Sequence, residues 1–73
     1  MSYKKYNSNK KYENHLSPGT LPDGISVKYQ GDFAHVVTGS SPKSKIKASA
    51  PAGSGAIYEV LWVENSELMI EEN

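Results

Sequence analysis

Apolar and polar residues alternate in short blocks along most of this chain, and turn-forming clusters separate the blocks. Ile25-Ser26-Val27-Lys28-Tyr29 has period two, which puts Ile25, Val27 and Tyr29 on one side of an extended strand. Gln30-Gly31-Asp32 follows as a tight turn, and Phe33-Ala34-His35-Val36-Val37-Thr38 reads as the second strand of a hairpin. The inward side of that strand is either Phe33, His35 and Val37 or Ala34 and Val36; volume favours Phe33 and Val37 as core. Residues 39–44 form a loop. Residues 45–50 alternate again, with Ile46, Ala48 and Ala50 opposite Lys45, Lys47 and Ser49. After a Gly-rich loop over 51–55 comes the strongest apolar run, residues 56–63. A near-continuous run of this kind predicts a central strand packed on both faces, and its Ile, Tyr, Val and Trp content favours strand over helix. Glu64-Asn65-Ser66 turns the chain into a last short strand over 67–71, with Leu68 and Ile70 inward.

Residues 1–16 break this pattern. No aliphatic side chain stands between Met1 and Leu16, and Lys4-Lys5-Tyr6-Asn7-Ser8-Asn9 is echoed by Lys10-Lys11-Tyr12-Glu13-Asn14-His15. Little apolar area is available to offset the entropy of ordering such a stretch, so it reads as a disordered basic arm. In an extended chain, positions six apart point the same way. Tyr6 and Tyr12 would then share a side with Lys4 and Lys10. Tyr rings that stack on bases and lysines that neutralise phosphates suit single-stranded nucleic acid, so Lys4, Lys5, Tyr6, Lys10, Lys11 and Tyr12 are candidates for such contacts.

Five short strands with no helical period point to a small all-β fold, a barrel or sandwich over residues 17–73. The order of Pro22-Asp23-Gly24-Ile25-Ser26-Val27, Tyr58-Glu59-Val60-Leu61-Trp62 and Ser66-Glu67-Leu68 resembles the small SH3-like barrel group over residues 20–72. That resemblance implies a five-stranded barrel; an OB-like barrel is the alternative. The chain lacks the acidic and aromatic run that follows the first strand in signalling SH3 domains, so no peptide-binding residue carries over.

The chain has 73 residues, which limits it to one domain. It has no Cys, which excludes a disulfide scaffold and a thiolate zinc site. Its longest apolar run, Val60-Leu61-Trp62-Val63, is far short of the ~20 residues a membrane helix needs. With no apolar leader near its start, the expectation is a cytoplasmic protein without a membrane partner. The net charge of zero conceals an asymmetry. Through Lys47 there are eight Lys and three acids, and from Ala48 onward there are five acids and no base. Such a dipole orients encounters with charged partners.

Chemistry is sparse. His15 and His35 without Cys do not make a metal set, and no Ser is placed to be activated by His35. Lys43-Ser44 lacks the glycines and spacing of a phosphate loop, and Gly53-Ser54-Gly55 lacks those of a dinucleotide site. No catalytic residue, cofactor or metal is expected. What remains is surface. Lys43, Lys45 and Lys47 share one side of the third strand, and Tyr29, Phe33, Tyr58 and Trp62 are aromatic anchors that either line an open groove or, for Phe33 and Trp62, fill the core. A core of so few large side chains is thin for an independent domain. The expected function is a non-enzymatic accessory or regulatory subunit that docks on a larger protein through Tyr29, Tyr58, Trp62, Lys43, Lys45 and Lys47, with self-association as a further route to covering its apolar surface. The alternative is a small nucleic-acid-binding protein using the basic arm and the patch of Lys43, Lys45 and Lys47.

Overall fold

In a computed structural model that describes residues 2–72, the chain folds as six antiparallel strands and one short 3-10 turn. The strands are β1 (Ser2–Lys5), β2 (Ser26–Tyr29), β3 (Asp32–Thr38), β4 (Lys43–Ser49), β5 (Tyr58–Glu64) and β6 (Leu68–Glu72), and the 3-10 turn is Asn65–Glu67. They form a single open sheet in the order β1-β6-β2-β3-β4-β5. The all-β expectation holds, but there are six strands rather than five, and the sheet keeps two edges, β1 and β5, where a closed barrel would have none. No helix among the described residues is long and apolar enough to cross a membrane.

The hairpin of β2 and β3 fixes the register of the sheet. Its loop is Gln30 and Gly31, both at positive φ (53° and 85°), which is the mirror-image turn whose twist matches that of the flanking strands. With two residues in the loop, Tyr29 pairs with Asp32 and Val27 with Ala34. Cross-strand partners share a face. Val27 is buried, so Ala34 and Val36 point inward and Phe33, His35 and Val37 point outward. The preference for Phe33 and Val37 as core residues is therefore corrected: volume favours them, but the turn decides the register, and a one-residue slip would be needed to bury them.

β5 also differs from expectation. It is an edge strand, paired only with β4, and just one of its faces meets the core. Val63 is buried and Leu61 half-buried, while Tyr58, Val60 and Trp62 face outward. Its apolar run does not mark two-sided burial.

The core is one cluster on one side of the sheet: Leu21, Val27, Val36, Ile46, Ala48, Val63, Leu68 and Ile70. A flat sheet could not build it. β5 and β6 stand four places apart in the sheet, roughly 19 Å at the usual strand spacing. Yet they are joined by a three-residue 3-10 turn, which advances only about 6 Å. The sheet must curl until its two halves face each other across the cluster. The inward positions of β2, β4 and β6 follow the sequence pattern, with Ser44 added to Ile46 and Ala48 on β4.

Residues 2–16 are ordered here, which corrects the disordered arm. β1 runs along the outer edge of β6, with Ser2 opposite Glu72 and Lys5 opposite Met69. Beyond it the chain folds back, Tyr6 and Tyr12 stack with ring centres 6.0 Å apart, and both pack against the core. The Tyr6 hydroxyl donates to the Gly19 carbonyl (2.5 Å), the Gly19 N–H donates to the Lys10 carbonyl (2.8 Å), and the Lys10 ammonium pairs with Glu72. Counting aliphatic residues misses the area that two phenol rings supply, and each aromatic ring buries on the order of 150–250 Å² at most. Gly19 is buried at φ +83°, and a Cβ there would lie 2.8 Å from both the Ser8 carbonyl oxygen and the Tyr6 hydroxyl.

Asn65 ties the loops to the core. Wholly buried at the corner between β5 and β6, it accepts a hydrogen bond from the Ser44 hydroxyl (2.7 Å) and donates to the carbonyls of Ser40 (2.7 Å) and Gly19 (3.4 Å). Its own N–H donates to the Pro42 carbonyl (2.9 Å). Its side-chain amide thus serves two backbone carbonyls and the buried Ser44 hydroxyl at once.

Two outcomes check this arrangement. Val36→Ala is expected to cost about 2 kcal/mol, and Phe33→Ala about 1 kcal/mol or less; urea unfolding that reverses this order would show that the hairpin register is misassigned. Asn65→Leu is expected to cost about 3 kcal/mol, because it removes the amide's bonds to the Ser44 hydroxyl and to the Ser40 and Gly19 carbonyls and leaves Ser44 and Ser40 only their longer mutual contacts of 3.2 and 3.3 Å. Adding Ser44→Ala is expected to recover part of that loss, read as a midpoint shift at constant denaturant slope.

Candidate functional site

The outward face of the sheet collects what the core leaves out. The strand registers set side chains in rows across it. Tyr58 lies opposite Ser49, and on the other half of the sheet Phe33 lies opposite Lys28, which lies opposite Met69 and then Lys5. One step along, Val60, Lys47, His35 and Ser26 follow one another from β5 to β2. Trp62 stands opposite Lys45, and Lys43 opposite Glu64 at 3.8 Å. Phe33 is 66% exposed, Tyr58 and Trp62 56%, and Val60 52%. These values are high for large apolar side chains that sit inside regular strands, and with Val37 and Met69 they give the face an exposed apolar character.

Lysines are set among the rings. The Lys28 ammonium lies 4.8 Å from the centre of the Phe33 ring and 5.1 Å from that of Tyr3, and the two rings meet edge to face at 5.7 Å. The Lys47 ammonium lies 4.6 Å from the Tyr58 ring. Among the described residues Lys28, Lys45 and Lys47 have no carboxylate within ion-pairing distance. Their charge faces solvent or the negative faces of the rings.

β3 and β4 part company in the middle of this face. Their pairing ends with His35 opposite Lys47, although β3 continues with β2 as far as Asp32 and β4 continues with β5 as far as Ser49. The strands splay, and a shallow notch of about 170 Å³ opens there. It is lined by Phe33, Ala34 and His35 of β3 and Lys47, Ala48 and Ser49 of β4, with Ser26 and Tyr58 from the strands on either side.

The edge of β5 is a second, distinct surface. The Ala50 N–H donates to the Ile57 carbonyl (3.0 Å), and the Asn65 N–H donates to the Pro42 carbonyl (2.9 Å), one at each end of the ladder between β4 and β5. Bonded pairs recur at every second residue of an antiparallel ladder, so the odd-numbered residues of β5 bond to β4. The backbone N–H and C=O groups of Tyr58, Val60, Trp62 and Glu64 point out of the sheet. β1, the other edge, is four residues long and carries Lys4 and Lys5, which discourage pairing.

The structure therefore brings Tyr58, Trp62, Lys43, Lys45 and Lys47 onto one face. Tyr29 is not with them: it is half-buried on the core side, opposite Leu68. The alternative set is dispersed. Tyr6 and Tyr12 are committed to the fold, Lys10 is paired with Glu72, and Lys4 and Lys5 project to opposite sides of β1, while Lys11 is exposed on the loop. Tyr3, Lys28, Phe33 and His35 belong to the outer face although the residue pattern does not select them as one set. The signal for Phe33 was present in the two-residue turn at Gln30 and Gly31, whose register sets Phe33 beside the outward Lys28.

No family model matches the chain, and no match was found among curated proteins or among solved structures.

Burial in the folded-back loop raises the Tyr12 hydroxyl above its ordinary pKa, and the nearby Glu72 pushes the same way against the Asn7 N–H and Lys10. The raised folded-state value means that the loop's share of stability is intact below the ordinary tyrosine pKa and is lost as the pH climbs through the raised one. NMR titration of ring-labelled tyrosine is expected to show Tyr12 ionising later than free tyrosine, with loosening of residues 6–19 over the same range; a Tyr12 midpoint at or below the free value would show that this loop is not packed.

Proposed function

We propose that this chain is a non-enzymatic protein-binding module of the SH3-like kind, an accessory subunit that docks on a larger protein by lending its β5 edge to an extended strand of the partner. The observation that carries this reading is the bare backbone of Tyr58, Val60, Trp62 and Glu64 on a seven-residue strand rich in apolar side chains. Free strand edges of this length are templates for strand addition, in which main-chain bonds give affinity and alternate side chains give specificity. Trp62 and Tyr58 are the side-chain types that dominate such contacts. The SH3-like reading is supported by the consecutive hairpins from β2 to β5 and by the passage of the Tyr58-bearing strand through one 3-10 turn into a short final strand.

Strand addition needs no catalytic group, and the thin core gives it a driving force. A domain of this size is marginal alone, so anything that binds the folded form stabilises it by mass action. Accessory or regulatory action follows from the same surface, because the chain adds one sheet to a partner rather than chemistry.

Val60→Pro tests the reading without touching the core. The Val60 N–H points away from β4, so proline there removes only the free donor, a substitution that edge strands tolerate. Circular dichroism is expected to remain native, while the partner recovered from the native cell by affinity purification is lost. Leu61→Pro, which removes a bond to β4, is expected to unfold the hairpin. A native-folded Val60→Pro chain that keeps all its partners would refute docking through this edge.

A further inference from the structure

We infer that the outer face of the sheet, as distinct from the β5 edge, is a binding site for single-stranded nucleic acid, with the notch between β3 and β4 receiving one base. The ligand chemistry follows from what the face displays. Single strands are bound without strong sequence preference where aromatic rings that stack on bases alternate with cations that track phosphates. Phe33, Tyr58 and Trp62 are all more than half exposed, and Tyr3 joins them through its edge-to-face contact with Phe33. Lys28 and Lys47 each hold their ammonium about 5 Å from a ring of this set, so charge and stacking surface arrive as paired units.

The charge of the face favours a polyanion. Its lysines are Lys5, Lys28, Lys43, Lys45 and Lys47, and its acids are Glu71 and Glu64, of which Glu64 already pairs with Lys43. The other carboxylates of the acidic half lie elsewhere: Glu59 is on the other side of β5, opposite the core residue Ala48, Glu67 ends the 3-10 turn, and Glu72 is held by Lys10. An acidic protein surface would answer the lysines but not the exposed rings of Phe33 and Tyr58 at the notch. A flat base answers both. The notch, about 170 Å³ and open to solvent, is lined by the two aromatic residues Phe33 and Tyr58 and two alanines, with Lys47, His35, Ser26 and Ser49 to offer donors and acceptors to a base edge. A duplex, whose bases are stacked internally, would reach only the lysines.

The chain's single Trp is Trp62, on this face, so its emission reports binding directly. The full chain is titrated with fluorescein-labelled dT12 at several salt concentrations, alongside a dT12·dA12 duplex and a poly-glutamate peptide of equal charge. The expected result is quenching of Trp62, preference for the single strand over both competitors, and an affinity that falls steeply with salt. Phe33→Ala and Trp62→Ala are each expected to weaken dT12 binding by about five- to a hundredfold, and Lys28→Ala and Lys47→Ala each to reduce the log–log salt slope by about 0.7. All four side chains lie on the outer face and Phe33 and Trp62 are largely exposed, so native circular dichroism is expected throughout. Phe33→Ala and Lys28→Ala, on β3 and β2 and away from the β5 edge, are expected to leave capture of the protein partner unchanged, which separates this site from strand docking. Absence of binding at low salt, equal binding of poly-glutamate or of duplex, or ring variants that bind like the parent chain would each overturn the inference.

Discussion

A lone sheet has one side on which to build a core, and in this chain that constraint settles where every side chain goes. Side chains alternate along a strand, so once Val27, Val36, Ile46, Val63, Leu68 and Ile70 are gathered on one side, their neighbours are sent to the other whatever their character. Phe33, Tyr58, Val60 and Trp62 stand outside for that reason and not because the core has no use for them. With no helix or second sheet to cover that face, about half of the apolar content of the strands is left facing water. The buried core and the exposed aromatic face are therefore two results of one geometric rule.

Curling the sheet creates a second requirement, namely that something must close the concave side. The loops do this, and Asn65 organises them. It lies where β5 gives way to the 3-10 turn and reaches the segments around Gly19, Ser40 and Ser44. The same closure explains a tight crossing. A Cβ on Gly39 would sit 1.6 Å from the Leu21 carbonyl oxygen, so only glycine lets the end of β3 pass beneath the segment that delivers Leu21 to the core. Asp23 fixes the crossing by accepting from the Gly39 N–H at 2.7 Å. Polar groups here do the work that a capping helix does in larger domains.

Much of the fold was legible in the sequence. Period-two alternation located five of the six strands and the inward residues of β2, β4 and β6, because those strands have one clearly apolar side. β3 failed where both sides are apolar; volume is then a poor guide, and the turn at Gln30 and Gly31 carries the decisive information. β5 failed because an apolar run records how much a strand would gain from burial, not whether the fold supplies a neighbour. β1 was invisible, since its four residues gain their place only by pairing with β6, some sixty-five positions away in the chain. On the candidate surface, Tyr58, Trp62 and the three lysines of β4 were accessible to pattern reasoning. The contributions of Tyr3, Lys28 and Phe33 depend on register across three strands and on that same distant pairing.

β6 lies between β1 and β2 in space although it comes last along the chain. It supplies Leu68 and Ile70 to the core and is, among the described residues, the only strand that β1 pairs with. Residues 2–64 can form the consecutive hairpins but not the finished domain, since without β6 the strand β1 has no partner and the core lacks Leu68 and Ile70. The docking of β6 therefore completes the core and seats β1 in one step, and Ser2 and Glu72 come to lie side by side.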